Sequence, residues 1–486
     1  MEFFFYFSYI EDMNKQIFNP YLPNFEYIPD GEPHIFDGRL YIYGSHDKYG
    51  SSFFCDNDYV LWSAPLSDLS EWKYHGIIYR KDQDPLNKDL DPLFAPDVTK
   101  KGDRYYLYYC PCNTRSIGVA VSDTPEGPFE FLGHVRYENE LLLGQNEYDP
   151  YPFDPAVLTE NNRSYLYIGF APDLSWDFME KEFGNIPLSS GAYVAQLCDD
   201  MVHIESVQKV EILDCPDPGH DFFEAASIRR FNDDYYFIYS SWNSHELCYA
   251  MSKDPKGPFT YKGILYDNGD IGLVEEKDRV SYTGNIHGSL IEANGKYYVF
   301  GHRQTAYSTY SRQGIADRIY MNEDGTFDQA ELTSCGLNDK PLIPEGTYGA
   351  YIACHLTSKD GASHYLDVCD ESFRQNNPAF LQDGPDRQSN PNQYIGNMKD
   401  GSTAGFKYFA HKDEITLSVR TRGDEGVFAV RTSLNGPVLA CVKLHKNEEY
   451  TDSEKVSFKL NTKEKFPLYF TYKGNGSIDF YSFTLE

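Results

Sequence analysis

The sequence predicts an all-β protein: a five-bladed β-propeller followed by a β-sandwich of jelly-roll type. Composition points to strands, because 16% of residues are aromatic (41 Tyr, 33 Phe) and 37 Gly and 27 Pro punctuate the chain; aromatics favour pleated surfaces, and Gly and Pro supply turns. A phrase made of a polar turn followed by an aromatic-rich run recurs five times, the mark of a repeat architecture. The last third lacks that phrase and instead alternates apolar and polar residues between glycine turns. At 486 residues the chain also exceeds what one hydrophobic core supports.

Taken in order, residues 1–12 ("MEFFFYFSYIED") hold an apolar run, Phe3 to Ile10, that is too short for a membrane span and preceded by Glu2 rather than a basic residue. They are expected to be a loose tail, with Met13 as a second candidate start, and residues 13–345 are assigned to the propeller. Its five phrases are "DGRLYIYG" (37–44), "KGDRYYLYY" (101–109), "ENNRSYLYIG" (160–169), "NDDYYFIYS" (232–240) and "NGKYYVFG" (294–301). Asp-Gly, Asn-Asn and Asn-Gly provide the positive-φ residues of tight hairpins, so each phrase reads as a turn plus the second strand of a blade. Marker tyrosines Tyr41, Tyr106, Tyr165, Tyr236 and Tyr298 lie 65, 59, 71 and 62 residues apart, room for four strands and their loops. Residues 346–486 are assigned to the sandwich, on stretches such as "EITLSVRTRGDEGVFAVRT" and "LYFTYKGNGSIDFYSFTLE".

Counting back from each tyrosine finds a polar residue at a similar offset: Asp30 at 11 residues, Asp97 at 9, Asp154 at 11, Glu224 at 12 and His287 at 11. The first strand of each propeller blade lines the central channel, so these five side chains are expected to converge there. Taken singly, an Asp before Gly or Pro reads as a turn residue, Glu224 as a solvated strand face and His287 as a hydrogen-bonded structural residue. The shared register argues for a common site instead.

Crowded carboxylates ionise unequally. Cleavage of a glycosidic bond uses such inequality, with one carboxylic acid protonating the leaving oxygen while a carboxylate activates water. Glu224, in "HDFFEAASIRRF", follows Phe222 and Phe223 and precedes two alanines, an apolar setting that raises a glutamate toward the range of a general acid. Asp30, before Gly31, suits a general base, and Asp154 would orient substrate and keep Glu224 protonated. Asp97, in "FAPDVTK", is read as mostly structural and carried as a candidate substrate contact.

"EYIPDGEPHIFDGRLYIYGSHD", "FAPDV", "FDPAVLTENNRSYLYIG", "FFEAASIRRFNDDYYFIYSS" and "GNIHGSLIEANGKYYVFGHR" together resemble glycoside hydrolase family 43, over about Pro20 to Arg303. The resemblance implies inversion at the anomeric carbon, with Asp30 as base, Asp154 as pKa modulator and Glu224 as acid. It implies roughly 6.5–9.5 Å between the carboxyls of base and acid. It also implies a central Ca²⁺, structural or electrostatic in role, supported through waters by His287. Arg303 resembles a substrate-contacting arginine, with solvent exposure the competing reading. Gly31 stands where many relatives have proline, which makes Glu32 a rival for the base; Asp149 rivals Asp154. Of the four tryptophans, Trp62, Trp72 and Trp176 read mainly as core, and Trp242 is carried as a sugar-stacking candidate. The C-terminal region resembles family-6-type carbohydrate-binding modules, with a structural buttress the favoured role.

The expected activity is therefore release of terminal pentose units from plant-derived oligosaccharides, of α-L-arabinofuranosidase or β-xylosidase type. The alternatives are a related furanosidase such as a galactofuranosidase, a non-catalytic glycan-binding propeller, and, last, a fructan-acting propeller enzyme. A net charge of −31, from 43 basic and 74 acidic residues, disfavours nucleic acid and anionic membranes as partners. Ten irregularly spaced cysteines without an export signal suit a cytoplasmic protein. The Cys110/Cys112 pair has no second pair at zinc-ligand spacing. Oligomeric state is left open.

Overall fold

A computed structural model of the chain describes residues 16–173, 187–273, 279–365, 370–461 and 463–486. The tail 1–12 and Trp176 lie outside the described residues.

Five antiparallel sheets follow one another between residues 32 and 319. Blade 1 runs from Glu32–Phe36 to Lys73–Tyr79, blade 2 from Asp97–Lys101 to Glu130–His134 and blade 3 from Ala156–Glu160 to Ile204–Lys209, each with four strands. Blade 4 runs from Phe222–Phe231 to Phe259–Asp267 and gains the short parallel strand Ile212–Leu213. The turns between the first and second strands are left-handed as the sequence requires, at Asp37 and Gly38 (φ 48° and 75°), Gly102 (60°), Asn161 and Asn162 (46° and 64°), Asn232 (55°), and Asn294 and Gly295 (54° and 72°).

Blade 5 departs from the expected four strands, having three: Leu290–Ala293, Lys296–Thr305 and Ser308–Ile319. The side chain of Asn19 bonds to the last of them as a neighbouring strand would. Its Oδ1 accepts from Ala316 N at 2.9 Å and its Nδ2 donates to Ala316 O at 3.0 Å, and Nδ2 also reaches Thr333 O at 2.9 Å. An amide carries both a donor and an acceptor, so one asparagine closes the ring between distant parts of the chain.

Beyond the propeller, strand Gly346–Gly349 opens a second body of two facing sheets. One holds seven strands, including Glu414–Gly423 and Ile478–Leu485; the other holds His355–Thr357, Thr403–Phe409, Phe466–Lys473, Gly426–Arg431 and Ala440–Leu444 in spatial order. Inward rings from the two sheets meet, Phe406 with Phe483 at 4.7 Å and Phe428 with Phe480 at 4.9 Å, which is the packing of a β-sandwich.

The two bodies share material. Tyr282, between blades 4 and 5, is buried in the sandwich core. Lys407 of the sandwich bonds Asp270 and Glu331, both at 2.9 Å, and His355 bonds Asp270 at 2.7 Å, with Lys407, Asp270 and His355 all buried.

Candidate active site

The strand registers sort the channel-lining residues into two layers. Glu32 pairs with Tyr43, Asp97 with Tyr108, Ala156 with Tyr167 and Ser227 with Ile238, while Ser289 O accepts from Phe300 N. In every case the partner stands two residues after the blade's marker tyrosine, so these five occupy equivalent positions in a lower layer. Asp30, Asp154 and His287 each lie two residues earlier, a step of roughly 6.6 Å along a strand on the same face, and form an upper layer with Glu224. Glu224 joins despite its longer offset because its strand bulges between Phe222 and Glu224 and again between Glu224 and Ser227, the irregularity that re-aims a side chain at a site.

Backbone conformation marks the same place. Asp30 (φ 57°), Asp154 (φ 43°) and Ala225 (φ 61°) all lie in the left-handed region. That region is disfavoured for residues with a Cβ and persists where surrounding contacts impose it. One of those contacts is the amide of Ala225, which donates to Asp154 Oδ2 at 3.0 Å and ties the residue after Glu224 to the neighbouring blade.

The upper-layer acids differ in ionisation. Burial pushes Asp30 up, but Arg312 at 2.9 Å and His287 more than offset this and hold it below the usual carboxylate range. Glu224 has no comparable cation: burial, then the neighbouring Asp154 charge, raises it to about 8. Asp154 is raised to about 6, chiefly by burial. Near neutral pH one carboxyl of the group is therefore a proton donor and another an anion.

No local sequence pattern marks Arg312 or His302. Arg312 is fully buried and forks onto Asp47, with Nε to Oδ2 and Nη2 to Oδ1 both 2.9 Å, while Nη1 holds Asp30. His302 accepts from Asp30 N at 3.4 Å through Nδ1 and donates from Nε2 to Asn285 O at 2.7 Å. Burial lowers its pKa to about 3, so it stays neutral.

Several expectations are corrected here. Asp97 lies a layer below the acids of the upper layer: it is fully buried, accepting from Val98 N and Val157 N at 2.7 Å each and bonding His34 at 2.6 Å, the setting of a structural residue. Its offset of 9 residues rather than 11 is that difference in depth. Arg303 is not solvent-exposed but buried. Strand alternation turns it away from His302 and toward the sandwich, where it is buried over the Phe380 ring (3.9 Å) and donates to Tyr351 O at 2.6 Å and Gln313 at 2.8 Å. Of the rivals, Glu32 is in the lower layer, bonded by Arg229 and by Ser227 at 3.2 Å. Asp149 accepts from Tyr137, Gly144 N and Asn146 N within its own loop.

Aromatic rings follow one another around the group. Consecutive contacts link Tyr310 to Phe53, Phe53 to Phe94, Phe94 to Phe153, Phe153 to Phe170, Phe170 to Phe223 and Phe223 to Trp242, at centroid distances of 5.0–6.4 Å. Phe153 and Phe223 immediately precede Asp154 and Glu224. Trp242 is 40% exposed, whereas Trp62 is buried and donates to Glu26, and Trp72 packs against the blade 1 core.

The ring of His287 reaches from the upper layer to the lower, its Nδ1 3.7 Å from Asp154 Oδ2 and its Nε2 3.6 Å from Glu32 Oε1. Both Nε2 and Oε1 are buried without a hydrogen-bond partner. One carboxylate oxygen, beside an imidazole nitrogen that would hold the ion's waters, fits a largely hydrated cation, since Ca²⁺ takes six to eight oxygen ligands and water would supply the others. The Cys110 and Cys112 side chains are both buried.

The sequence profile of glycosyl hydrolases family 43 matches residues 19–327. The chain is 46% identical over 488 residues to a xylosidase/arabinosidase of Thermoclostridium stercorarium, covering 97% of this chain and 99% of that one. The structure of a family 43 β-xylosidase/α-arabinofuranosidase from a compost microbial metagenome, solved with xylotriose in a calcium-free form, superposes with a TM-score of 0.50 at 29% identity. That match covers 63% of this chain and 94% of the other. An arabinoxylan arabinofuranohydrolase from Bacillus subtilis shares the fold across both bodies, with a TM-score of 0.51 at 19% identity over 96% of this chain and 97% of its own.

Proposed function

The chain belongs to glycosyl hydrolases family 43, and from that premise we propose that it is an inverting exo-glycosidase of xylosidase/arabinosidase type. It would release terminal xylose or arabinose from plant-derived oligosaccharides. The observation that carries the reading is the gathering of Asp30, Asp154 and Glu224 from three blades in one layer of the channel, with unlike surroundings. Glu224 donates its proton to the leaving glycosidic oxygen, which prevents an alkoxide from forming. Asp30, held ionised by Arg312, takes a proton from the water that attacks the anomeric carbon from the opposite face. Asp154 keeps its negative charge near Glu224 and resists loss of that proton, and it orients the sugar. The aromatic arc stacks sugar faces and excludes bulk water.

For the metal, we propose that His287 Nε2 and Glu32 Oε1 anchor a hydrated Ca²⁺. When bound, the ion supplies positive charge beneath the acids; His287, whose pKa its acidic neighbours raise to about 9 against the effect of burial, carries that charge as an imidazolium otherwise. Added Ca²⁺ is expected to raise Tm for the wild type and not for His287→Ala, measured by scanning calorimetry. The sandwich is proposed to be a family-6-type module serving as a buttress, supported by its two-sheet architecture. A reducing, cytoplasmic setting is part of the same reading, supported by the free thiols of Cys55, Cys110 and Cys248, all buried.

The test is turnover of nitrophenyl β-D-xylopyranoside, α-L-arabinofuranoside and β-D-galactofuranoside by wild type and Glu224→Ala, with the released anomer followed by proton NMR. Turnover of the xyloside or arabinofuranoside with inverted product supports the proposal. Retained configuration removes the inverting mechanism, and no turnover of any glycoside makes the propeller a glycan binder.

A further inference from the structure

A cavity of about 920 Å³ lies outside the channel, against the five-stranded sheet of the sandwich. Its floor is a row of hydroxyls. Thr357 pairs with Thr403 and Thr403 with Thr471 on three adjacent strands, and the hydroxyls of Thr403 and Thr471 are 2.9 Å apart. Arg279 from the propeller side, together with Lys359, Arg431 and Lys473 from the sandwich, lines the walls, and Asp360 is the one acid among the lining residues. In a chain with 74 acids and 43 bases, four cations around one cavity run against the overall charge. None of the four makes an ion pair among the described residues. Arg431 donates to Thr471 Oγ1 at 2.9 Å, and Arg279 Nε is buried without a partner.

We propose that this cavity binds a carboxylate-bearing sugar, specifically a uronic acid substituent on a pentose oligosaccharide. The volume falls in the range of ligand cavities. No aromatic residue lines it, so it lacks the ring faces that stack neutral sugars. Guanidinium and ammonium groups recognise carboxylates through charge-assisted hydrogen bonds, and the threonine row matches the hydroxyls of a pyranose ring. A bare inorganic anion would leave most of the volume and the hydroxyl row unused. The choice of a pentose backbone rests on the function proposed above; recognition of the acidic substituent rests on the cavity alone.

The experiment is calorimetric titration of the full-length Glu224→Gln chain, in which hydrolysis is blocked, with xylotriose carrying one glucuronosyl branch. Unbranched xylotriose and inorganic phosphate serve as separate arms. The branched ligand is expected to bind with a stoichiometric component that weakens with ionic strength and drops about tenfold or more in Arg431→Ala. Lys359→Glu, at an exposed position, is expected to show the same loss without removing a packed side chain. In an otherwise wild-type chain both substitutions leave nitrophenyl glycoside turnover unchanged. Binding that is absent, that persists in both variants, or that unbranched xylotriose or phosphate reproduces at equal strength overturns the proposal. A chain that hydrolyses no glycoside yet binds the branched ligand through Arg431 loses the function proposed above and keeps this one.

Discussion

At the scale of single residues, Glu224 and Arg312 divide the chemistry. Since Glu224 is raised to about 8, kcat/KM is expected to fall as pH rises through about 8, when the acid loses its proton. A carboxyl whose pKa is higher folded than unfolded binds its proton more tightly in the native state. Its contribution to stability therefore declines from about pH 4.3, the ordinary glutamate value, up to about 8. Glu224→Gln is accordingly expected to lower turnover by roughly 10²–10⁴-fold while matching or exceeding the wild-type Tm at pH 9, read by calorimetry. Arg312→Lys keeps the charge but loses the planar fork that spans Asp30 and Asp47. It should move the acidic limb of the pH–rate profile upward as Asp30 drifts back toward its normal range. Glu224 was legible in the sequence because an acid among phenylalanines and alanines is anomalous by itself. Arg312 was not, since its meaning comes from Asp30, 282 positions away. Arg303 is ambiguous for a subtler reason: in a strand adjacent residues face opposite sides, and the sequence does not say which of His302 and Arg303 faces the channel.

Among elements, the blade hairpins were legible because their turns need Asn, Asp or Gly at positive φ, a chemical requirement visible in the letters. Depth along the inner strands was only half legible. The offset of Asp97 differed by two residues, a parity-preserving shift that keeps the side chain on the same face while lowering it one step. Asp97→Asn is therefore expected to act on stability rather than on substrate affinity. It weakens the charge-assisted bonds to His34 and to two backbone amides, at a cost of about 1–3 kcal/mol. Chemical denaturation should show a lower midpoint while KM remains at the wild-type value. The bulge at Glu224 has the opposite lesson: an extra residue in the count marks the place where the strand bends to present its side chain. The fifth blade's missing strand was invisible, because Asn19 closes the ring through side-chain bonds rather than a strand pattern.

Across the whole molecule, the loop Asp383 to Asn392 of the sandwich reaches back onto blade 1. Arg387 bonds Glu26 at 2.5 Å and His46 at 2.8 Å, and Asp386 accepts from Tyr49 N at 2.8 Å and Asn57 at 3.1 Å. These contacts brace the segment that carries Asp47, the partner of Arg312. Arg387→Ala is expected to lower Tm by a few degrees and kcat/KM severalfold, the second effect exceeding that of an equally destabilising substitution remote from blade 1; paired melting and kinetic measurements check it. Domain order was readable from the change in sequence texture near residue 346, whereas this contact depends on a loop whose path no local pattern specifies. The buried lysine Lys407 has a broader bearing. Its ammonium belongs to one body and the carboxylate it neutralises, Asp270, to the other. A severed propeller would lose the cation that neutralises Asp270 and leave Tyr282 without its socket. The halves are thus not portable: a chimaera that grafts this sandwich onto another catalytic ring, or replaces it with an unrelated module, must recreate both the charge and the socket before it can fold.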